Sequence, residues 1–355
     1  MVRTVRGPML VACRLSCLAA GLAAPLAAQG RIVEDSVRSP ALEGNLLGDG
    51  SVRRLRVYLP PSYDADPTRR YPVLYLLHGF GGSPDSWSNG SYSGFDLARA
   101  MDSLAAGGTI HEFLVVMPDG HNALGGSVFA NSVATGNWET YLVRDVARHV
   151  DATYRTLRRG RSRGIAGHSM GAAAALRLAM RYPAGFAAVY AQSPNALLPC
   201  QGLGPGAKDS LLGLSRRSQF DSLGGSSRLC LGYAAAWSPD SARAPFFADL
   251  PFSRQGGEVV ADSTVLERWR AWMLLDMAPR YRDGLVRLRG IAFDVGGSDP
   301  YAPGVEQLDS LFTRLRVRHQ FERYDGDHHS AIGERMITRV LPFFSGMLDF
   351  GPEAN

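Results

Sequence analysis

Lysine is almost missing from these 355 residues, with Lys208 the only one. The net charge of +5 therefore rests on arginines spread along the chain. No concentrated basic block is interleaved with aromatics, which argues against a nucleic-acid partner. Cysteine is scarce too. Cys13 and Cys17 fall in the first 28 residues, leaving only Cys200 and Cys230 beyond them. In an exported chain these two could close a disulfide; two buried thiols are the competing reading. No segment after the N-terminal region is long and apolar enough to span a bilayer.

What is present points to one large α/β domain. With 45% hydrophobic and 20% charged residues, the chain can bury a sizeable core without dividing in two. Residues 1–28 run from Arg3 and Arg6 through an apolar stretch to Ala-Ala-Pro-Leu-Ala-Ala. That order reads as a secretory signal peptide, implying a secreted or periplasmic protein spanning 29–355. Arg14 interrupts the apolar stretch, and a disordered or membrane-anchoring N-terminus is the alternative.

After this leader, Arg53 to Leu59 alternates charged and apolar residues, as a strand with one solvated face does. Tyr71 to Leu77, Phe113 to Met117 and Phe186 to Gln192 are nearly continuous apolar runs, the pattern of strands buried on both faces of a parallel sheet, and Leu288 to Val295 reads as a further strand. Phe321 to Tyr324 is a short last strand. Helical spacing covers Phe95 to Ala105, Glu139 to Tyr154, Val305 to Leu315 and Ala331 to Met347. The polar connection from Asn122 to Trp138 lacks periodicity and is long enough to line a cleft. From about 195 to 282 the βα rhythm breaks down, in a stretch rich in Gly, Ser and Pro but carrying Trp237, Phe246, Phe247, Phe252, Trp269 and Trp272. It reads as a lid-like insertion over the sheet edge that shapes substrate choice; the rival reading is an elaborated loop whose aromatics only pack it down.

The centre of this pattern is Gly167-His168-Ser169-Met170-Gly171, between an apolar run and an Ala-rich helix. A nucleophilic serine on a tight strand-to-helix turn needs this spacing, because a Cβ two residues either side of it would collide with the neighbouring backbone. Serine needs a histidine to take its proton, and that histidine needs a carboxylate to hold it. Asp299 follows one predicted strand, and His328 and His329 follow another, in the order serine, acid, histidine. Asp294 is the rival acid, but it lies within a strand. Spacing alone does not choose between the two histidines. The glycines of His78-Gly79-Phe80-Gly81-Gly82 suit an oxyanion loop, with the Phe80 N–H as donor. Neither His-x-x-x-His nor a cysteine pair supports a metal reading of Asp325, Asp327, His328 and His329.

Leu77 to Gly82, Val116 to Gly120, Gly136 to Glu139, Tyr154 to Thr156, Gly167 to Gly171, Gly296 to Pro300 and Gly326 to His328 together resemble the Putative esterase family, which includes esterase D, feruloyl esterase domains, enterochelin esterases and antigen 85 mycolyltransferases. The resemblance covers roughly 53–190 and 289 to the final helix, not the insertion. It implies an α/β-hydrolase fold with a mostly parallel central sheet flanked by helices. It further implies Ser169 as nucleophile, Asp299 as acid, His328 as base and the N–H groups of Phe80 and Met170 as oxyanion donors, with no metal or organic cofactor. The expected activity is hydrolysis of a small-molecule or polysaccharide-linked acyl ester. An acyltransferase of the antigen 85 type, or a non-catalytic carbohydrate- or surface-binding relative, is the alternative.

Overall fold

The computed structural model describes residues 29–351 together with Met1 and Thr4. The expected leader over 1–28 thus falls, apart from those two residues, outside the described residues. Eight strands form the central sheet: β1 (Arg31–Arg38), β2 (Val52–Leu59), β3 (Val73–Leu77), β4 (Leu114–Pro118), β5 (Arg163–His168), β6 (Ala188–Gln192), β7 (Gly290–Gly296) and β8 (Gln320–Tyr324). Their spatial order is β1-β2-β4-β3-β5-β6-β7-β8. The pairs β1/β2 and β2/β4 are antiparallel, and every other neighbouring pair is parallel. The apolar runs end up where their composition demands: β3, β4 and β6 are buried at every residue, with helices on both faces completing two cores. β1 has no counterpart in the sequence reading. It alternates exposed and half-buried residues at the sheet edge, so it carries little hydrophobic signal.

Parallel pairing aligns the carboxyl ends of the strands. Leu77 sits beside Gly167, His168 beside Gln192, and Gly296 beside Tyr324. The loops that follow therefore gather along one edge of the sheet, where open α/β folds bind their ligands. Helix α1 (Leu97–Ala106) starts at Asp96, whose carboxylate accepts the Arg99 N–H at 3.1 Å, a cap worth about 1 kcal/mol. The helix expected over Glu139 to Tyr154 is interrupted by a π-helical stretch, Tyr141–Val146, before α2 (Ala147–Thr153). The last helix is likewise broken by Met336–Val340.

Helix α3 (Met170–Arg181) runs from the elbow and is buried at every position from Met170 to Met180. Small alanines let it lie close on β5 and β6. Residues 195–282 are more regular than their composition suggests. They hold helices Pro205–Leu212, Ser263–Arg270 and Leu274–Arg280, a hairpin of Phe252–Gln255 with Glu258–Ala261, and α4 (Gly225–Trp237). The Trp237 and Trp269 rings meet edge to face at 5.5 Å, and the Trp269 indole N–H donates to Ser238 Oγ at 2.8 Å. Phe246 and Phe252 are buried beside them. Most of the segment's aromatics thus build a small core of their own. A disulfide joins Cys200 to Cys230, tying the start of the segment to α4. Among the described residues no helix is long and apolar enough to cross a membrane.

Candidate active site

Ser169 links β5 to α3 with φ 55° and ψ −116°, a region that costs a non-glycine residue on the order of 1–3 kcal/mol and recurs at functional turns. The turn is as tight as the Gly-x-Ser-x-Gly spacing requires. A Cβ on Gly167 would approach the Gly171 carbonyl carbon to 2.5 Å, and one on Gly171 would run into the carbonyl oxygens of Leu77 and His78. The Ser169 N–H donates to the Gln192 carbonyl at 2.9 Å, which ties the elbow to the end of β6.

Asp299 and His328 arrive from the loops after β7 and β8. The His328 Nδ1–H donates to Asp299 Oδ2 at 2.7 Å, leaving Nε2 to accept the Ser169 hydroxyl at 2.9 Å. The structure thus brings Ser169, His328 and Asp299 into one continuous chain of hydrogen bonds. Burial pushes the Asp299 carboxyl up, but the hydrogen bond and charge of His328 outweigh it and hold the group below the ordinary carboxylate range. The backbone N–H of Tyr301 adds a bond to Asp299 Oδ1 at 2.8 Å. Asp294 lies elsewhere. It is fully buried, accepting from the Arg335 Nε–H at 2.6 Å and the Tyr190 hydroxyl at 2.8 Å; burial raises its carboxyl to about 6 against the pull of Arg335. It pins the final helix to the sheet. His329 sits with its ring 4.8 Å from that of His328, and its side chain has no hydrogen-bond partner among the described residues.

The loop from His78 to Gly82 lies against the elbow. A Cβ on Gly79 would stand 3.5 Å from that of Ser169, and the Gly79 N–H donates to the Tyr92 hydroxyl at 2.8 Å. Gly81 donates to the Gly125 carbonyl at 2.8 Å. Between these two fixed points the Phe80 N–H donates to no protein acceptor among the described residues. Met170 is the first residue of α3, where a helix leaves its N–H groups unbonded and its dipole positive.

Two buried histidines hold the surroundings. His78 donates from Nδ1 to the Gly79 carbonyl at 2.8 Å and accepts the Gly120 N–H on Nε2 at 2.9 Å, while burial lowers it to about 4. His168 is lowered to about 3, chiefly by burial and then by the charge of His328. Being neutral, it donates from Nε2 to the His328 backbone carbonyl at 2.8 Å. Tyr92 and Tyr301 escaped the sequence reading. Tyr301 sets its ring edge-on to His328 at 5.0 Å, and its place two residues after Asp299 is the only cue the sequence offers. Among the described residues no group of three or more His, Cys, Asp or Glu side chains is arranged to hold a metal ion.

The model of the Putative esterase family matches residues 50–333. The chain belongs to that family. It is 35% identical over 145 residues to an esterase of Mycobacterium tuberculosis, a match covering 41% of this chain and 29% of that protein. It is 32% identical over 139 residues to an endo-1,4-beta-xylanase/feruloyl esterase of Xylanibacter ruminicola, covering 38% and 18%. The matched stretch thus spans less than a third of either relative. Among solved structures, a ferulic acid esterase superposes with TM-score 0.61 at 21% identity, over 90% of this chain and 99% of that one. An S-formylglutathione hydrolase from Agrobacterium tumefaciens gives 0.58 at 16% identity, over 91% and 97%. At these identities the superpositions establish the α/β-hydrolase fold.

Proposed function

We propose that this esterase-family member is an exported serine hydrolase of carboxylic esters, with Ser169 as nucleophile, His328 as general base and Asp299 as its acid partner. The observation that carries the reading is His328 bridging the Ser169 hydroxyl and the Asp299 carboxylate at 2.9 and 2.7 Å. Ser169 Oγ attacks the acyl carbonyl as its proton passes to His328 Nε2, and Asp299 stabilises the imidazolium that results. The N–H groups of Phe80 and Met170 bind the developing oxyanion. His328 then protonates the departing alcohol. A water, deprotonated by the same histidine, releases the acid from Ser169. Names of relatives with esterase and feruloyl esterase activity support this class of substrate. The leader-like residues 1–28 and the Cys200–Cys230 disulfide support an oxidising compartment.

Turnover of p-nitrophenyl acetate tests the reading. Ser169→Ala is expected to lower kcat by at least about 10³-fold; a rate equal to that of the wild type overturns it. Faster acyl transfer to added alcohols or sugars than to water would replace hydrolase by transferase on the same site.

A further inference from the structure

An arginine lies inside the apolar body of α3, eight residues beyond Ser169. Arg177 is 2% exposed and, among the described residues, forms no ion pair. One of its N–H groups donates to the Val128 carbonyl, and its guanidinium stands 5.6 Å from the centre of the Trp237 ring. Glu139, a nearby carboxylate, is already held by Arg181 at 2.8 Å and Tyr182 at 2.7 Å. A buried cation with no counter-ion is among the costlier arrangements a protein can hold.

Around it converge further polar groups without partners. The Tyr233 hydroxyl, the Trp237 indole N–H and both amide atoms of Asn195 are buried and, among the described residues, have no hydrogen-bond partner, with Tyr233 1%, Trp237 5% and Asn195 7% exposed. The Tyr233 and Trp237 rings meet at 4.6 Å, and the Tyr233 hydroxyl faces both Asn195 and Arg177. The cluster is continuous with the active site. Asn195 comes three residues after Gln192, whose carbonyl holds the Ser169 N–H. Gly232, next to Tyr233 on α4, lies so close to Phe80 that a Cβ there would stand 2.9 Å from its ring. Arg177 is about 12 Å from Ser169 along the helix, and a helical side chain leans back toward the N-terminus, hence toward the serine.

We propose that Arg177, Asn195, Tyr233 and Trp237 form a recognition site for a carboxylate at the far end of the acyl group, so that the preferred substrates are half-esters of short dicarboxylic acids. Arg177 and Trp237 can only donate, and Tyr233 and Asn195 each have a donor to spare. A neutral hydroxyl would leave the guanidinium uncompensated; a carboxylate satisfies the donors and the charge together. One guanidinium matches one carboxylate, and the acyl group is the part of the substrate retained on the helix that also carries Arg177. This site rests on Ser169 being the nucleophile.

The test is a matched pair of equal carbon count, monomethyl glutarate against methyl pentanoate, followed by methanol release. The wild type is expected to show a kcat/KM ratio of at least tenfold in favour of the glutarate, and Arg177→Met to lower that ratio at least tenfold. A smaller preference, or a smaller collapse, overturns the site, since a merely structural arginine would lower both rates together. Should Arg177→Met fail to fold, Tyr233→Phe decides, with an expected fall in the ratio of at least threefold; a smaller fall overturns the site. Calorimetric titration of the Ser169→Ala protein with both esters separates this inference from the catalytic one. Glutarate half-ester binding at least tenfold tighter supports the site whatever the fate of the triad, and equal binding overturns it.

Discussion

The β5–Ser169–α3 elbow and residues 195–282 are held in place by opposite means. The elbow is fixed by neighbours in sequence: glycines at 167 and 171 allow backbone contacts that any Cβ would break. The segment from 195 to 282 is held by contacts distant in sequence. Cys200 is bonded to Cys230, Trp237 packs on Trp269, and Gly232 lies so close under the Phe80 ring that a Cβ there would reach 2.9 Å from it. Chemistry set by local geometry is legible in a short motif. A segment held by distant contacts is not.

The sharpest way to break this contrast is to remove the acid. Asp299→Asn keeps the side chain's volume and most of its contacts, but leaves the His328 imidazolium without its carboxylate. A loss in kcat of roughly 10³–10⁴-fold is expected. Asp294→Asn is expected instead to lower stability, because it takes away the buried carboxylate on Arg335 Nε and leaves the guanidinium only its more exposed partner Glu322, and to leave turnover of the folded fraction within about tenfold. If the two variants exchange these effects, the acid has been misassigned and the loop after β7 does not carry the chemistry.

A smaller effect is expected in the insertion. Removing the disulfide with Cys200→Ser and Cys230→Ser frees a loop of 30 residues, which chain-entropy reasoning values at about 3–4 kcal/mol. The measurable outcomes are a lower Tm and faster proteolysis within 195–282. Turnover of p-nitrophenyl acetate by the folded enzyme should fall less than tenfold, since no triad residue belongs to the segment. A collapse of that activity at unchanged Tm would show that the frame depends on the insertion for its catalytic geometry.

The strands of the parallel sheet and the elbow could be read from the chain, because burial on both faces of a strand leaves an unbroken apolar run and a tight turn leaves glycines. So could the order of Ser169, Asp299 and His328. Edge strand β1 could not, since its solvated face and half-buried residues erase the pattern. The two π-helical stretches were also invisible, because one extra residue per turn does not alter which residues are apolar. His328 against His329 required coordinates, for adjacent side chains on a turn differ only in direction. Arg177 was the missed signal. An arginine between Leu176 and Leu178, inside the otherwise apolar stretch Met170–Met180 that follows Ser169, is a local misfit of the kind that functional sites produce.

The pH dependence of stability gives a further comparison, because all eight histidines lie outside 195–282. His78 and His168 are buried in the frame and lowered from the ordinary 6.5 to about 4 and about 3. Between pH 6.5 and those values the unfolded chain takes up protons that the folded chain refuses. Stability is therefore full above pH 6.5 and lost as pH falls, by as much as about 3 kcal/mol for His78 alone at 1.36 kcal/mol per unit. Denaturant titrations at pH 7.5 and 4.5 measure the slope, which His78→Gln should flatten. A slope unchanged by that variant would place the acid sensitivity elsewhere.

The smallest expected effect separates two neighbours within the frame. His328 and His329 share a turn, a ring contact of 4.8 Å and a place beside His168, yet only His328 bonds to both Ser169 and Asp299. The backbone N–H groups of His329 and Ser330 both donate to Asp327 Oδ1 at 2.8 Å, so the turn is held by Asp327 rather than by the His329 imidazole. His329→Ala should accordingly change kcat/KM for p-nitrophenyl acetate by no more than about threefold, against a loss of at least about 10³-fold for His328→Ala. Burial, and then the charge of His328, hold the imidazole at 329 below its ordinary range, so it stays neutral beside a protonated His328. A loss for His329→Ala as large as that for His328→Ala would instead make the His329 imidazole part of the reacting chain.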